Sequence, residues 1–326
     1  MNTPAGERLP EIEDIRRAAK TIKGVAHRTP LYRNEYLSRR FDANVLLKLE
    51  CFQPTRVFKI RGAANKMLRL DRAERDRGVV AVSSGNHDLS VAYVAKLIGT
   101  KATIVVPTSA VKEKVDAINE QGATVTECGR THAERYARAM EIQKEHGSVF
   151  VHPFDDPNVI AGQGTIGLEI LEDLPDVDTI LVPVGGGGLI SGISLSEKAG
   201  RPGAKVYGVQ SDAVPSMYES LRAGKLIRLN GTNTIADGLA PGEPGQLTFR
   251  MVKKYVDGVV LTSENKIRSA TRLALQSLHL LIEPSGAAVI VALSGTYQPR
   301  RGENLVLVIS GGNISLDLLR RLLNEP

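Results

Sequence analysis

Short runs rich in valine and isoleucine alternate with helical segments along most of this chain, and this pattern restricts the fold more than any other feature. Helices are predicted near 111–121, over 132–146, around 164–171, and after 263 and 285. Nearly continuous apolar strands separated by helices are typical of parallel sheets buried on both faces. The pattern therefore predicts an α/β fold built on open twisted sheets. The six clearest runs are VVAVSS (79–84), ATIVVP (102–107), ATVTEC (123–128), TILVPV (179–184), KVYGVQS (205–211) and NLVLVIS (304–310).

Length and charge narrow the possible partners. A chain of 326 residues exceeds one ordinary core, so one large or two medium domains are expected. The net charge is +6, but basic and acidic residues are interspersed and tryptophan is absent, which argues against nucleic acid. No apolar stretch approaches about 20 residues, which argues against a membrane partner. Cys51 and Cys128 are far apart, the amino-terminal segment resembles a surface helix, and a cytoplasmic location is expected.

Four consecutive glycines, Gly185 to Gly188, follow the strand TILVPV and precede a helical segment. A glycine-rich turn that opens a helix directs backbone N–H groups at one point and favours an anion, usually phosphate. A nucleotide P-loop is excluded because no Gly-Lys-Ser/Thr follows, and the dinucleotide fingerprint G-x-G-x-x-G is absent. The loop therefore predicts a phosphate site, with a tight turn that binds no ligand as the alternative.

A second stretch, FQPTRVFKIRGAANKML, places Lys59 between Phe58 and Ile60, just before an amphipathic helix. A lysine among apolar residues can simply extend its amine to solvent. If the amine is instead buried, its pKa falls and it can attack a carbonyl, as a Schiff base requires. A phosphate loop together with such a lysine suggests pyridoxal phosphate as the cofactor.

Polar residues end two further strands. The stretch SSGNHDLSVA begins with Ser83, Ser84, Gly85, Asn86 and His87, whose donors would surround a helix N-terminus and suit a carboxylate. An ordinary helix cap is the alternative interpretation. In VISGGN, Ser310 ends the last strand. Ligands of open α/β sheets bind at the carboxyl ends of the strands, so both stretches are candidates for one site.

Taken together and in this order, these stretches resemble the fold type II pyridoxal phosphate enzymes, most closely the threonine/serine dehydratase and serine racemase branch. VLLKLECFQPT, FKIRGA, SSGNH, VHPFDDPNVIAGQGTIGLEI, VPVGGGGLISG, TIADGLA, IEPSGAA and ISGGN all carry the resemblance, which covers nearly the whole chain. It implies a tryptophan synthase β-like fold. It also implies a large domain of residues 1–67 and 156–326, a small domain of residues 68–155, a cofactor between them, and a homodimer.

The resemblance also implies roles for individual residues. Lys59 would form an imine with pyridoxal 5'-phosphate and act as the catalytic base, and Ser84 would be a second catalytic group on the opposite face. Ser83, Ser84, Gly85, Asn86 and His87 would bind the substrate carboxylate. The neutral hydroxyl of Ser310 would leave the cofactor ring a weak electron sink. Cofactor contacts would come from Phe58, Lys59, Asn86 (ring oxygen), Gly185, Gly186, Gly187, Gly188 and Leu189 (phosphate), and Ser310 (ring nitrogen).

The implied activity is that of an ammonia-lyase, which converts a β-hydroxy amino acid such as L-threonine or L-serine to a 2-oxo acid and ammonia. The alternatives are a serine-type racemase, an ammonia-lyase for 3-hydroxyaspartate or another β-substituted amino acid, a β-replacement synthase, and a protein that only binds the cofactor. The enzymatic alternatives differ in product, and each takes a small-molecule amino-acid substrate. A protein that only binds the cofactor would instead show a cofactor spectrum that amino acids do not change.

The chain departs from the family pattern near the lysine and in the carboxylate loop. Arg56 and Val57 stand where small residues are common, and Asp88 follows His87. We hypothesise that Arg56 or Asp88 lines the mouth of the site and selects a charged or larger substrate. No metal site is predicted, because Gln210 and Ser216 stand where some members carry acidic ligands.

Overall fold

The computed structural model describes residues 8–83, 85–110, 112–229, 233–293 and 295–324. Ser84 lies outside the described residues.

Two sheets organise the described part of the chain, and the predicted α/β class is confirmed. The larger sheet has the strand order β1-β2-β10-β7-β8-β9, and the smaller has the order β5-β4-β3-β6. All neighbouring strands are parallel except β1, which runs antiparallel to β2 at one edge. The strands are Leu31–Arg33 (β1), Asn44–Leu49 (β2), Val79–Val82 (β3), Ala102–Val106 (β4), Thr124–Glu127 (β5), Val149–Phe150 (β6), Thr179–Pro183 (β7), Lys205–Ser211 (β8), Gly258–Thr262 (β9) and Asn304–Ile309 (β10).

Helices connect the strands and cover both sheets. Two short 3₁₀ turns, Glu50–Phe52 and Asp237–Leu239, accompany them. The helices are Ile12–Thr21 (α1), Glu35–Phe41 (α2), Lys59–Met67 (α3), Arg72–Arg77 (α4), Asn86–Ile98 (α5), Lys112–Asn119 (α6), His132–His146 (α7), Pro157–Asp173 (α8), Gly188–Gly200 (α9), Ser216–Ala223 (α10), Gln246–Tyr255 (α11), Glu264–Gln276 (α12), Pro284–Ala292 (α13) and Leu316–Asn324 (α14).

Helix α8 is longer than the predicted segment at 164–171. It begins at Pro157. The side chain of the preceding residue, Asp156, caps the helix by accepting hydrogen bonds from backbone N–H groups of the first turn. Its glycines weaken the sequence signal for a helix, yet packing requires them. A Cβ at Gly162 would lie 2.5 Å from the Arg61 carbonyl oxygen, and one at Gly192 of α9 would lie 2.4 Å from the Gly164 nitrogen. Close contact of α3, α8 and α9 therefore overrides helix propensity.

A buried ionic network fixes α3 against β2 and α8. Arg61 donates to Glu50 from Nε and Nη2 at 2.8 Å each, and its Nη1 lies 2.6 Å from Oε1 of Glu169. Lys48 also binds Glu169, at 2.7 Å. Burial alone would raise the pKa of Glu50, but the charge and hydrogen bonds of Arg61 outweigh burial and leave the pKa lowered. Because α3 begins at Lys59, the network holds the start of the helix that carries the candidate catalytic amine.

All four strands of the smaller sheet come from the segment between Val79 and Phe150. The boundaries of the two domains, 1–67 with 156–326 and 68–155, stay a prediction. Of the described helices, none has both the length and the apolar content that crossing a bilayer requires. Cys51 is buried, whereas Cys128 is half-buried.

Candidate active site

A cavity of about 720 Å³ lies where the carboxyl ends of strands from both sheets meet. Ser83 follows β3, Pro153 follows β6, Gly185 follows β7 and Ser310 follows β10, and all four residues line it. The volume is within the range of small-molecule sites, about 300 to 1,000 Å³. The strand-end positions predicted from sequence thus converge on one cavity.

Lys59 presents its amine to this cavity from the first residue of α3. Nζ donates a 2.7 Å hydrogen bond to the carbonyl oxygen of Pro153 and lies 5.1 Å from the centre of the Phe58 ring. The side chain is half-buried in the cavity wall, and protein atoms surround its amine. Burial therefore lowers the pKa of Lys59 to about 8, although the nearby charges of Glu283 and Asp88 oppose this shift. A useful fraction of the amine is neutral, and so nucleophilic and basic, near neutral pH.

The glycine loop is closely packed on its protein side. A Cβ at Gly185 would lie 2.3 Å from the Gly238 carbonyl oxygen, and one at Gly186 would lie 2.5 Å from the Phe154 ring. Gly187 has φ +95° and precedes α9, and no side chain caps the helix among the described residues. The backbone amides at this helix start are thus available to the cavity. Because glycine has no Cβ, these four residues can pack closely against the protein and also leave their backbone N–H groups accessible to an anion such as phosphate.

Asn86 takes part in a hydrogen-bond network that the sequence patterns did not predict. Its Nδ2 donates to both carboxylate oxygens of Glu283, at 2.9 and 3.0 Å, and its Oδ1 accepts from Nδ2 of Asn313 at 2.9 Å. Burial raises the pKa of Glu283 to about 7, although the Asn86 hydrogen bonds act in the opposite direction. Glu283 lies in the stretch IEPSGAA, just before Pro284 of α13. Its position at the start of a helix is the sequence feature that could have marked it as a site residue.

Ser310 and Phe58 meet at the base of the cavity. The Ser310 carbonyl oxygen accepts a 3.0 Å hydrogen bond from the Phe58 nitrogen, and this bond ties the end of β10 to the start of α3. Ser310 is 3% exposed and lines the cavity, as does Leu189. A neutral hydroxyl at this position can hydrogen-bond a ring nitrogen without transferring a full charge to it.

The stretch after β3 supplies Ser83, Asn86 and His87 to the cavity wall, with Gly85 at the N-cap of α5. Ser84 is the member that lies outside the described residues. The Nε2 atom of His87 lies 2.8 Å from the Val151 carbonyl oxygen, and burial lowers the pKa of His87 to about 3. The imidazole is therefore neutral, and Nε2–H is the donor in that bond. His87 contributes shape and polarity here and carries no positive charge.

The hypothesis that Arg56 or Asp88 lines the mouth of the cavity is wrong. Neither residue is among those that line it. Arg56 is exposed, with φ +58°, in the turn before α3, whereas Asp88 is completely buried behind the wall. Val57 is buried and bridges to Gly311. For Asp88 the reason is the helical period: Asn86 and Asp88 lie two positions apart on α5, so their side chains point in different directions and only Asn86 reaches the cavity.

The residues present fit a phosphorylated aldehyde with an aromatic ring. Lys59 offers an amine of lowered pKa, the glycine loop offers an anion cradle, and Asn86 and Ser310 offer neutral polar groups on the same cavity wall. Phe58 adds an aromatic face. The donor set thus agrees with pyridoxal phosphate on chemistry and on available volume.

Comparisons with known proteins agree with this geometry. Residues 22–311 match the family model described as pyridoxal-phosphate dependent enzyme. The chain is 47% identical to the L-threonine ammonia-lyase of Thermotoga maritima, over 96% of this chain and 78% of that protein. It is 41% identical to the L-threonine dehydratase catabolic TdcB of Escherichia coli strain K12, over 95% of each. The structure of maize serine racemase superposes with a TM-score of 0.92 at 36% identity, covering 97% of both chains.

Proposed function

The chain belongs to the pyridoxal-phosphate dependent enzyme family, and we propose that it is an ammonia-lyase for a β-hydroxy amino acid, L-threonine or L-serine. The products are a 2-oxo acid and ammonia. The observation that carries the proposal is the amine of Lys59, whose pKa is lowered, in the wall of a cavity that the Gly185–Gly188 loop also lines. An amine of lowered pKa beside an anion cradle is the combination that a phosphorylated aldehyde requires.

The residues that would hold pyridoxal 5'-phosphate are those already placed in the cavity. Lys59 would hold its aldehyde carbon, the backbone from Gly185 to Leu189 its phosphate, Asn86 its ring oxygen and Ser310 its ring nitrogen. When bound, the cofactor supplies an electron-withdrawing ring that acidifies the Cα–H bond of an amino acid.

The chain's own groups then handle the substrate and its protons. The Ser83 to His87 stretch binds the substrate carboxylate at the start of α5. Nζ of Lys59, with its lowered pKa, accepts the Cα proton. The Cβ–O bond breaks, and the hydroxide leaves as water with the proton that was taken from Cα. The enamine that remains takes up water and releases ammonia, so the overall reaction converts one amino acid into one 2-oxo acid and one ammonia.

The test combines product and adduct analysis. Purified protein with pyridoxal phosphate should release ammonia from L-threonine or L-serine in a coupled assay. Borohydride reduction followed by digestion and mass spectrometry should place the cofactor on Lys59. The Lys59→Ala variant should lose at least about 10³-fold in kcat, because it removes the amine that would accept the Cα proton. An adduct on a different lysine would refute the assignment.

Racemisation of serine is the second candidate. It is favoured by the likeness to maize serine racemase, and the sequence resemblance implies that Ser84 would be the second base. Chiral chromatography of serine recovered from the reaction distinguishes the two activities. Ser84→Ala should abolish racemisation, whereas ammonia release should lose no more than one carboxylate contact contributes, seen mainly as a higher KM.

An acidic substrate such as 3-hydroxyaspartate is favoured by one feature of the cavity wall. Lys114, Arg130, Arg135 and Arg228 line it, against Asp237, Glu243 and Glu283. Lys114 bonds Asp237 at 2.9 Å, and Arg228 lies 3.4 Å from Glu243, so two of the four cations are already balanced. A direct comparison of kcat/KM between threonine and 3-hydroxyaspartate decides which substrate the site prefers.

Three further proposals accompany the activity. A homodimer is proposed from the resemblance, and sedimentation equilibrium tests it. The division into residues 68–155 and the remainder is supported by the separate four-stranded sheet, and hydrogen exchange with and without substrate tests it. A cytoplasmic location is supported by the absence of a C-x-x-C or paired-cysteine pattern, and cell fractionation tests it.

A further inference from the structure

Asp88 is a buried carboxyl group for which the proposed reaction has no use. It is the third residue of α5 and is 0% exposed. Neither of its oxygens has a hydrogen-bond partner of good geometry among the described residues, although the backbone N–H of Gly85 lies near enough to favour the ionised form. Buried polar groups are ordinarily hydrogen-bonded, and an ionised carboxylate without partners is strongly disfavoured. The geometry therefore favours the protonated, neutral form.

Charged groups reach Asp88 from three helices. These are Arg135 on α7, Lys114 on α6 and Lys59 on α3, and each favours the ionised form. Strands β3 and β4, which pack against α5, carry no titratable side chain, and the adjacent His87 is neutral. Burial outweighs the backbone N–H of Gly85 and the three cations, and raises the pKa of Asp88 to about 8. The group is thus neutral at pH 7 and ionises within the range of ordinary assays.

The position of Asp88 connects its charge to the substrate. It lies in the first turn of α5, the same turn whose Asn86 and His87 line the cavity. A helix N-terminus attracts anions through its free N–H groups and its dipole. A negative charge on Asp88 would occupy the favourable potential at this helix start and so weaken its attraction for a bound anion. Arg135 is affected as well, because it lines the cavity and its buried Nε has no partner among the described residues.

We propose that Asp88 is a positioning residue that must carry a proton for the stretch Ser83 to His87 to bind a carboxylate. This rests on the proposed function, which assigns the substrate carboxylate to that stretch. While Asp88 is neutral, the helix start and Arg135 attract the incoming carboxylate. Once Asp88 is ionised, it repels that carboxylate and draws Arg135 toward itself. Carboxylate affinity therefore falls as the pH rises through the ionisation of Asp88.

The binding test uses propionate, a carboxylate with neither an amine nor a leaving group. Its dissociation constant for the holoenzyme is measured by titration calorimetry between about pH 6 and about pH 9, a range that brackets the ionisation. We expect the ionisation of Asp88 to contribute about a tenfold rise in the constant, the effect of one nearby like charge at partial screening. Asp88→Asn, which is permanently neutral at this position, should lack that contribution and keep only the pH dependence due to Glu283 and Lys59, which line the cavity and ionise in the same range.

Glu197 offers a matched control. It is also fully buried, its oxygens also lack partners among the described residues, and burial raises its pKa to about 8. It lies on α9 and does not line the cavity. Glu197→Gln should therefore keep the wild-type pH dependence of propionate binding. Asp88→Ala serves as a second neutral variant if the asparagine variant does not fold.

A second readout observes the proton itself. The infrared spectrum of the wild type at neutral pH should contain neutral-carboxyl absorption from both Asp88 and Glu197. The Asp88 component is the part that Asp88→Asn removes and Glu197→Gln retains, and it should fade in the wild type as the pH rises. The proposal is overturned if Asp88→Asn removes no such component, if Asp88→Asn keeps the wild-type pH dependence, or if propionate does not bind at any pH. If propionate binding depends on Asp88 but no amino acid releases ammonia, the proposed function fails and this inference stands.

Discussion

Replacing Arg61 by methionine removes the centre of the buried ionic network while keeping an unbranched side chain of similar length. In the wild type, Arg61 binds Glu50 and Glu169 and also donates to Oγ1 of Thr165 and to the carbonyl oxygen of His27, each at 3.0 Å. The side chain is 1% exposed, so water cannot replace these partners. The variant therefore tests how much a fully enclosed charge network contributes to stability.

The magnitude follows from which charge is left behind. Glu169 keeps Lys48 at 2.7 Å. Among the described residues, Glu50 keeps hydrogen bonds from Oγ1 of Thr29 at 2.6 Å and Nε2 of Gln53 at 3.1 Å and the more distant charge of Lys48, although it is 0% exposed. Removing one partner of a buried pair costs about 3 to 5 kcal/mol. Against a total stability of about 5 to 15 kcal/mol, that loss is severe.

The pH dependence has a definite sign. The wild-type pKa of Glu50 is lowered, so its stabilising contribution is present above the ordinary range of glutamate and is lost as the pH falls. Without Arg61, burial is opposed only by the weaker effects of the Thr29 hydrogen bond and the Lys48 charge, so the pKa of Glu50 should rise. The deficit of Arg61→Met should therefore be largest near neutral pH and should shrink under mild acid.

The assay is urea unfolding of Arg61→Met, Glu50→Gln and the double variant, analysed as a double-mutant cycle. Glu50→Gln in the Arg61→Met background should restore at least about 2 kcal/mol, because it removes the unpaired charge. Arg28→Met is the control, since its pairs with Glu172 and Asp173 are exposed and should contribute less than about 1 kcal/mol. The reasoning is refuted if Arg61→Met costs no more than Arg28→Met, or if the double variant shows no restoration.

Three further predictions concern the cavity and the buried carboxyl group. Gly186→Ala should reduce pyridoxal phosphate affinity by at least about tenfold, because its Cβ would meet Phe154 at 2.5 Å, whereas Gly203→Ala, which has open space, should not change an absorbance titration. Glu283→Gln should move the rising limb of the pH–rate profile to lower pH, because the Glu283 charge raises the pKa of Lys59; an unmoved limb would contradict this. The free energy of unfolding of Asp88→Asn should improve relative to the wild type by about 1.4 kcal/mol for each unit by which the pH rises from about 5 to about 8, since folding of the wild type takes up a proton in that range. If the difference in Tm between variant and wild type is the same at both ends of that range, the prediction is wrong.

Local sequence was sufficient for the features that depend on neighbouring residues. The apolar runs predicted β3, β4, β7, β8 and β10, because buried parallel strands need continuous apolar side chains. The glycine loop and Lys59 were recognisable because their chemistry is carried by residue type and by position at a strand or helix end. The resemblance added the cofactor, and the family comparison agrees.

Only the tertiary structure decided which distant groups meet. Asn86 bonds Glu283, 197 positions away, and Arg61 bonds Glu169, 108 positions away, and no local pattern encodes those pairs. The burial of a side chain could not be predicted from the sequence either. Asp88 follows two cavity residues in the chain, yet its direction on α5 places it inside the protein. The pKa of a carboxyl group depends on its solvent and its neighbours in space, so sequence determined which ionisable groups exist and the fold determined which of them are charged.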